Sequence, residues 1–365
     1  MKFTCTQTAL VKAINTVSKA VSARTTIPIL KGILLKVNDN RLTMSASDLD
    51  MSIETSIDVQ GYEEGSIVVP AKLFGDIIRK LPNSIITAEE SSGSLNINCL
   101  GSDFNVVTMP ADEFPSIGEI VSKDFVDINK EDFSNLVKKT IFAASIDEKK
   151  GILTGTLMNF EGEEIEMVAL DGFRMAVTNK KIPVGINKKI IVPARILSEI
   201  NKIIFEDDGS DTLSLVIEDK KIEVLTEDTR VVSRLLEGEY IKYKEIIPSS
   251  HKTRIVLSRE DLLQSIERAA LFTKDNKNNL IKLNITDGSL DISSRSEEGN
   301  VNEHINIDKF GEDLVIGFNS KYILDVLKVL NDDEISMEFG SSVNPALILP
   351  SEGREYTFMV LPVRI

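Results

Sequence analysis

Histidine and cysteine are scarce in this 365-residue chain, which makes most His-dependent catalysis improbable. His251 and His304 are the only histidines and Cys5 and Cys99 the only cysteines. Two cysteines exclude a disulfide framework and a cysteine-based zinc site, and both fall in apolar alternating stretches that are expected to be buried and reduced. Asp48 with Asp50, and Asp207, Asp208 and Asp211, are the best candidates for metal ligands. The second group, EDDGSD, lacks EF-hand spacing and its distal Glu, so a solvated turn is expected there. No P-loop, G-x-S-x-G, H-E-x-x-H or Gly-rich dinucleotide loop occurs. The expectation is a chain that is not an enzyme, with no metal and no cofactor.

The remaining chemistry is electrostatic. Lys and Arg total 42 against 57 Asp and Glu, a net charge of −15, which argues against coating nucleic acid with the whole surface. Basic charge gathered on one face stays open. Six stretches read as amphipathic helices: residues 7–24, 70–82, 129–144, 193–204, 258–274 and 319–330. In the first, Leu10, Ile14, Val17 and Val21 share an inward arc while Lys12 and Lys19 lie opposite. In the second, Leu73, Phe74, Ile77, Ile78 and Leu81 point inward, with Lys72 and Arg79 outward. The third sets Phe133, Leu136, Val137 and Ile141 against Lys138 and Lys139. Together these stretches hold 16 Lys and Arg but only 8 Asp and Glu, in a chain whose commoner charge is negative. Helix propensity does not explain this, because Glu forms helices as well as Lys does. Basic helices without interleaved aromatics suit phosphate contact without base readout, and a duplex rather than single strands.

The elements that carry this charge come in three copies. VVPAKLFGDIIRKLP resembles IVPARILSEINKI with Lys72 on Arg195, an offset of 123. The same offset places ILKGIL on ILTGTL and Asp48 on Asp171. A weaker third copy places Lys321 on Arg195, with FNSKYILDVLKVL as its helix. The chain therefore divides into residues 1–122, 123–248 and 249–365. Each copy reads as strand, helix, several alternating strands, a second helix, then more strands. That grammar is α+β, with antiparallel sheets and two helices per domain. The opening MKFTCTQTAL has no apolar h-region, and no apolar run reaches the ~18 residues of a membrane span, so a cytoplasmic protein with no membrane partner is expected.

From end to end the chain resembles the bacterial DNA polymerase III β subunit family of sliding clamps. The motifs are MKFT, RTTIPILKGILL, VVPAKLFGDIIRKLP, MPADEFP, ALDGFRMAV, IIVPAR, LLEGEYI, GFNSKYILDVLKVL and the terminal VLPVRI. The resemblance implies a head-to-tail homodimer that closes into a ring of six similar domains around duplex DNA, helices lining the hole. Lys12, Lys19, Arg24, Lys72, Arg79, Lys138, Lys139, Lys149, Lys150, Arg195, Lys202, Lys321 and Lys328 would face the DNA. Arg24 and Lys72 match the family's basic contacts. The resemblance also implies a hydrophobic groove that captures short linear motifs of the replicative polymerase, the clamp loader and repair factors. Leu153, Gly172, Phe173, Arg174, Met175, Ile241, Ile246, Val360, Leu361, Pro362, Val363 and Arg364 would form it, with Arg174 and Arg364 at the edge of an apolar floor. The chain departs from the family pattern at Leu170 and Phe173, where Thr and His are usual, and at Ile241 and Glu245. The implied dimer contact joins the strand holding Phe104 and Val106 to the helix end at Leu271 and Phe272. Glu297, Glu298 and Glu303 match positions that pair with arginines across the interface, but residues 94–109 contain no Lys or Arg. Edge-strand pairing and apolar contact are expected to dominate there. A monomeric peptide-binding scaffold and a metal-dependent nuclease are the competing readings; the nuclease requires carboxylates from distant segments to converge.

Overall fold

A computed structural model describes residues 1–22, 25–118, 122–206, 209–273 and 279–365. Strands are the commonest element, and they form four sheets of 5, 9, 9 and 4 strands. Every strand pairing among the described residues is antiparallel. The helices are α1 (Gln7–Val17), α2 (Ala71–Lys80), α3 (Lys130–Ile141), α4 (Ala194–Glu206), α5 (Arg259–Ala270) and α6 (Ser320–Leu327). None is long and apolar enough to cross a membrane.

The chain forms two compact units, Met1–Glu131 with Glu199–Leu235, and Asp132–Ser198 with Leu236–Ile365. Two of their three boundaries fall inside α3 and α4 and the third between Leu235 and Leu236. The cause is sheet continuity. In the first unit strand Met51–Asp58 pairs with Thr229–Arg234, so strands of the first and second repeats share one nine-stranded sheet. In the second unit Arg174–Lys181 pairs with Tyr356–Val360 and unites strands of the second and third repeats in the same way. The five-stranded sheet ends on strand Ser102–Val107, and the four-stranded sheet ends on Gly299–Asn306.

Helix faces follow the apolar spacing, with instructive exceptions. In α1, Leu10, Ile14 and Val17 are fully buried, and Thr6 caps the helix by accepting the Ala9 N–H. The helix ends at Val17, short of residue 24, because the chain tightens into a 3-10 turn, Ser18–Ala20, that buries Ala20. In α2, Phe74 and Ile78 are buried as expected, whereas Leu73 is exposed. Small Ala71 and Gly75 take its place on the inward face, which rotates the buried arc away from Leu73. Cys5 and Cys99 are free and buried, and burial pushes the Cys5 thiol up to about 12, so it stays protonated.

Candidate functional site

The turn after strand Glu164–Leu170 organises a polar cluster of the second unit. Asp171 Oδ1 accepts the backbone N–H groups of Phe173 at 2.8 Å and Arg174 at 3.0 Å, an Asx turn. Gly172 supplies the φ of +94° that the turn needs. Arg174 then points back into the protein. Its Nε donates to Asp171 Oδ2 at 3.1 Å, Nη1 to Asp325 Oδ2 at 2.5 Å and Nη2 to the Phe142 carbonyl at 2.6 Å. The guanidinium also lies over the rings of Tyr322 at 4.8 Å and Phe142 at 5.5 Å. Its side chain is only 10 % exposed, so Arg174 fixes the turn and α6 together and is not an open cation at a groove edge. Phe173, by contrast, is 54 % exposed and stacks on Tyr322 with ring centroids 6.2 Å apart.

An apolar surface extends from this turn. Leu157, Val168, Leu170, Met175, Leu347, Leu349 and Met359 form one cluster, with Ile152, Leu153, Leu236 and Ile247 packed at its margin. Met175 is fully buried within this cluster, whereas Val360 packs into a different core with Ala176, Ala346 and Phe358, so neither lines an open surface. Leu153, Leu361, Pro362 and Val363 are half-buried, and Ile241, Ile246 and Arg364 are exposed. Tyr243 anchors the segment that presents the two isoleucines. Its ring is buried in the cluster and its O–H donates to Glu166. Burial first, and then the Glu166 carboxylate, push the Tyr243 phenol above its ordinary value, which keeps it a donor. A cleft of about 560 Å³ runs beside this segment, lined by Leu157, Ile191, Tyr240 and Ile241 and fringed by Lys189, Lys242 and Lys244.

The basic residues singled out in the sequence are mostly exposed. Lys12 stands on α1, Lys72 and Arg79 on α2, Lys138 on α3, Arg195 and Lys202 on α4, and Lys321 and Lys328 at the two ends of α6. Several hold acidic neighbours: Arg79 pairs with Asp76 at 3.1 Å, Lys202 with Glu199 at 2.8 Å, Lys328 with Glu267 at 3.1 Å, and Lys19 with Glu206. Lys139 is half-buried, its ammonium 5.1 Å from the Tyr356 ring centroid. Lys149 is exposed, but its neighbour Lys150 is held by other contacts. The Lys150 ammonium donates to the Asp171 carbonyl at 2.6 Å and lies 5.4 Å from the Phe173 ring, which ties it to the turn at Gly172. Arg24 lies outside the described residues, as do Asp207 and Asp208. Asp48 Oδ1 accepts the N–H groups of Asp50 and Met51, a turn rather than a ligand geometry. Among the described residues no group of three His, Cys, Asp or Glu is arranged to hold a metal ion.

Two strand edges complete the geometry. The Cys99–Ser102 pair closes a two-residue hairpin, and the Thr108 N–H donates to Gly93 O at 3.0 Å. Alternation between those pairs directs the N–H and C=O groups of Asp103, Asn105 and Val107 away from the sheet. Strand Gly299–Asn306 likewise presents Asn300, Asn302 and His304, since the Ile307 N–H donates to Gly288 O at 3.2 Å. On strand Ser102–Val107, Phe104 is partly exposed whereas Val106 is buried in the core of its own sheet. Leu271 is exposed and Phe272 half-buried at the end of α5. Glu297 and Glu298 are exposed, but Glu303 already has a partner. Arg268 of the same chain donates to it at 2.6 and 3.0 Å and holds its carboxyl below the ordinary carboxylate value.

Residues 1–118, 127–242 and 244–364 match, in order, the models for the N-terminal, central and C-terminal domains of the DNA polymerase III beta subunit. The chain belongs to that family. It is 36% identical over 378 residues to the beta sliding clamp of Bacillus subtilis, with all of both chains covered. The crystal structure of the DNA polymerase sliding clamp from Bacillus subtilis superposes with a TM-score of 0.96 at 35% identity, covering 100% of this chain and 99% of that one. A putative DNA polymerase III beta subunit from Eubacterium rectale gives a TM-score of 0.95 at 34% identity over all of both chains. Membership in the beta subunit family carries the role of a non-catalytic processivity factor, the sliding clamp.

For this beta subunit family member, sequence reasoning missed Phe142, Tyr322 and Asp325, which hold Arg174, and Leu347, Leu349 and Met359, which build the apolar floor. Tyr322 and Asp325 stand three apart on α6, a spacing that puts both on one helix face. That signal was present. The strand residues carried none beyond ordinary alternation.

Proposed function

We propose that two copies of this chain close head to tail into a ring around duplex DNA. The observation that carries this reading is the pair of open strand edges. Each nine-stranded sheet is closed where the last strand of one repeat's hairpin set meets the last strand of the next repeat's other sheet, Met51–Asp58 with Thr229–Arg234 and Arg174–Lys181 with Tyr356–Val360. Gly299–Asn306 and Ser102–Val107 occupy those same two repeat positions and stand at sheet edges. Pairing them between copies would join the sheets of four and five strands into another of nine. Phe104, Leu271 and Phe272 would add apolar contact at that junction, and Glu297 and Glu298 would lie at its rim.

The repeats 1–122, 123–248 and 249–365 are the modules of this ring. The exposed basic residues of α1 to α6 supply the sequence-independent attraction to phosphates, weak enough singly to permit sliding. The apolar surface bounded by Leu153, Phe173, Ile241, Ile246 and residues 361–364 takes an extended peptide of the replicative polymerase, the clamp loader or a repair factor. The protein works in the cytoplasm. Light scattering tests the closure directly. At micromolar concentration the mass should be about twice the 40.4 kDa of one chain, and a strict monomer would leave only the scaffold reading.

A further inference from the structure

A glycine on the four-stranded sheet explains how one wall of the groove is held. After Val360 the chain leaves its strand, and the Leu361 N–H donates to the Phe173 carbonyl at 2.9 Å. Two residues on, the Val363 N–H donates to Gly317 O at 2.8 Å, and the two residues form an isolated antiparallel bridge. Gly317 lies inside strand Leu314–Asn319 between Ile316 and Phe318, both fully buried. Glycine weakens a strand interior, and its backbone angles here are ordinary, so conformational freedom does not account for it. Space does. A Cβ at position 317 would sit 2.8 Å from Val363 O, 2.9 Å from Leu280 Cδ1 and 3.0 Å from Ile365 Cγ1. The leucine and isoleucine ends can rotate away. The Val363 carbonyl is backbone and can yield only by moving the segment.

We propose that Gly317 is a positioning residue for peptide capture, acting through Val363 to hold residues 361–363 against the Phe173 turn. The inference rests on the groove reading above and deepens it. The wall is pinned at two points, Phe173 O and Gly317 O, and a side chain at 317 releases the second. Leu361 keeps its bond to Phe173, but Pro362 and Val363 lose their fixed place beyond it, and a peptide must order them again on binding.

The probe is a fluorescein-labelled decapeptide with two leucines, a phenylalanine and a terminal aspartate, titrated by anisotropy against the full-length chain. Gly317→Ala should weaken binding at least tenfold and speed exchange of the Val363 amide, while dimer mass and retention on circular DNA stay unchanged. A chain ending at Pro362 should show the same loss. Adding Gly317→Ala to that shortened chain should cost less than a further twofold, because the contact is already gone. Wild-type affinity in Gly317→Ala, a protected Val363 amide in that variant, or a full additional loss in the shortened chain would each overturn the proposal. Should Gly317→Ala fail to fold, Val363→Pro removes the N–H donated to Gly317 without touching the strand and carries the same expected loss. A wild-type chain that ignores the peptide overturns the groove reading itself, and is told apart from failure of this inference by that first titration.

Discussion

Arg174 and the cations of the helices are the same chemistry put to opposite uses. Arg174 has two carboxylates, a carbonyl and two aromatic rings around it and is nearly closed to water. Lys72, Lys138, Arg195 and Lys321 stand exposed on helix surfaces. A charge surrounded by fixed partners in a low dielectric has one stable position and defines the shape of what surrounds it. A charge in water contributes mainly a field, screened beyond about 8 Å at physiological salt, and that field adds across residues without demanding a geometry. The groove therefore depends on single residues. The field of the helix cations depends on their number.

This contrast can be broken most severely at Arg174. Arg174→Ala strands Asp171 and Asp325 without their cation and should destabilise the chain by about 3–5 kcal/mol, lowering Tm by about 10 °C in calorimetry. A Tm within 2 °C of wild type, on the order of a 1 kcal/mol change, would mean the cage is not a structural centre. Next comes Asn105→Pro, which removes an outward N–H from the edge strand and leaves the in-sheet pairs intact. The mass should fall toward that of one chain while the circular dichroism spectrum is preserved. A persistent dimer would place the contact elsewhere. Reversing Lys12, Lys72, Arg195 and Lys321 together to Glu should reduce loading on DNA at least tenfold and flatten its salt dependence, with thermal stability nearly unchanged. Unaltered loading would refute the assignment of the helices to the duplex. Smallest of all, Lys321→Ala alone should change loading by about twofold or less, since one exposed cation is worth well under 1 kcal/mol. A large effect from that single change would erase the distinction between the two kinds of site.

Much of the fold was legible because periodicity is local. The inward faces of α1 and α3 follow from spacing, and hairpins such as Glu161–Gly162 fall where turn residues interrupt alternation. The repeat offset aligns Arg195 with Lys72, and each is the second residue of its helix. What resisted reading was long-range. Nothing near Lys150 in sequence announces that its ammonium reaches the Asp171 carbonyl rather than a solvated face. Arg174 and Arg364 look alike on paper, yet Asp325, 151 residues from Arg174, is what removes only the former from the surface. Val106 and Phe104 share one side of their strand, but the packing of its sheet buries only Val106. The sheets also continue across repeat limits, so compactness divides the molecule inside α3 and α4 where the sequence is unbroken helix.

Topological linkage is the centre of this account, and one measurement reaches it without relying on any mutation. The protein is loaded onto closed circular duplex at moderate salt, and its retention is followed before and after a single restriction cut. A ring that encircles DNA and holds it only by screened phosphate contacts should stay on the circle and run off the ends within minutes of cutting. Equal retention on circle and linear molecule would show that the chain grips DNA like an ordinary binding protein.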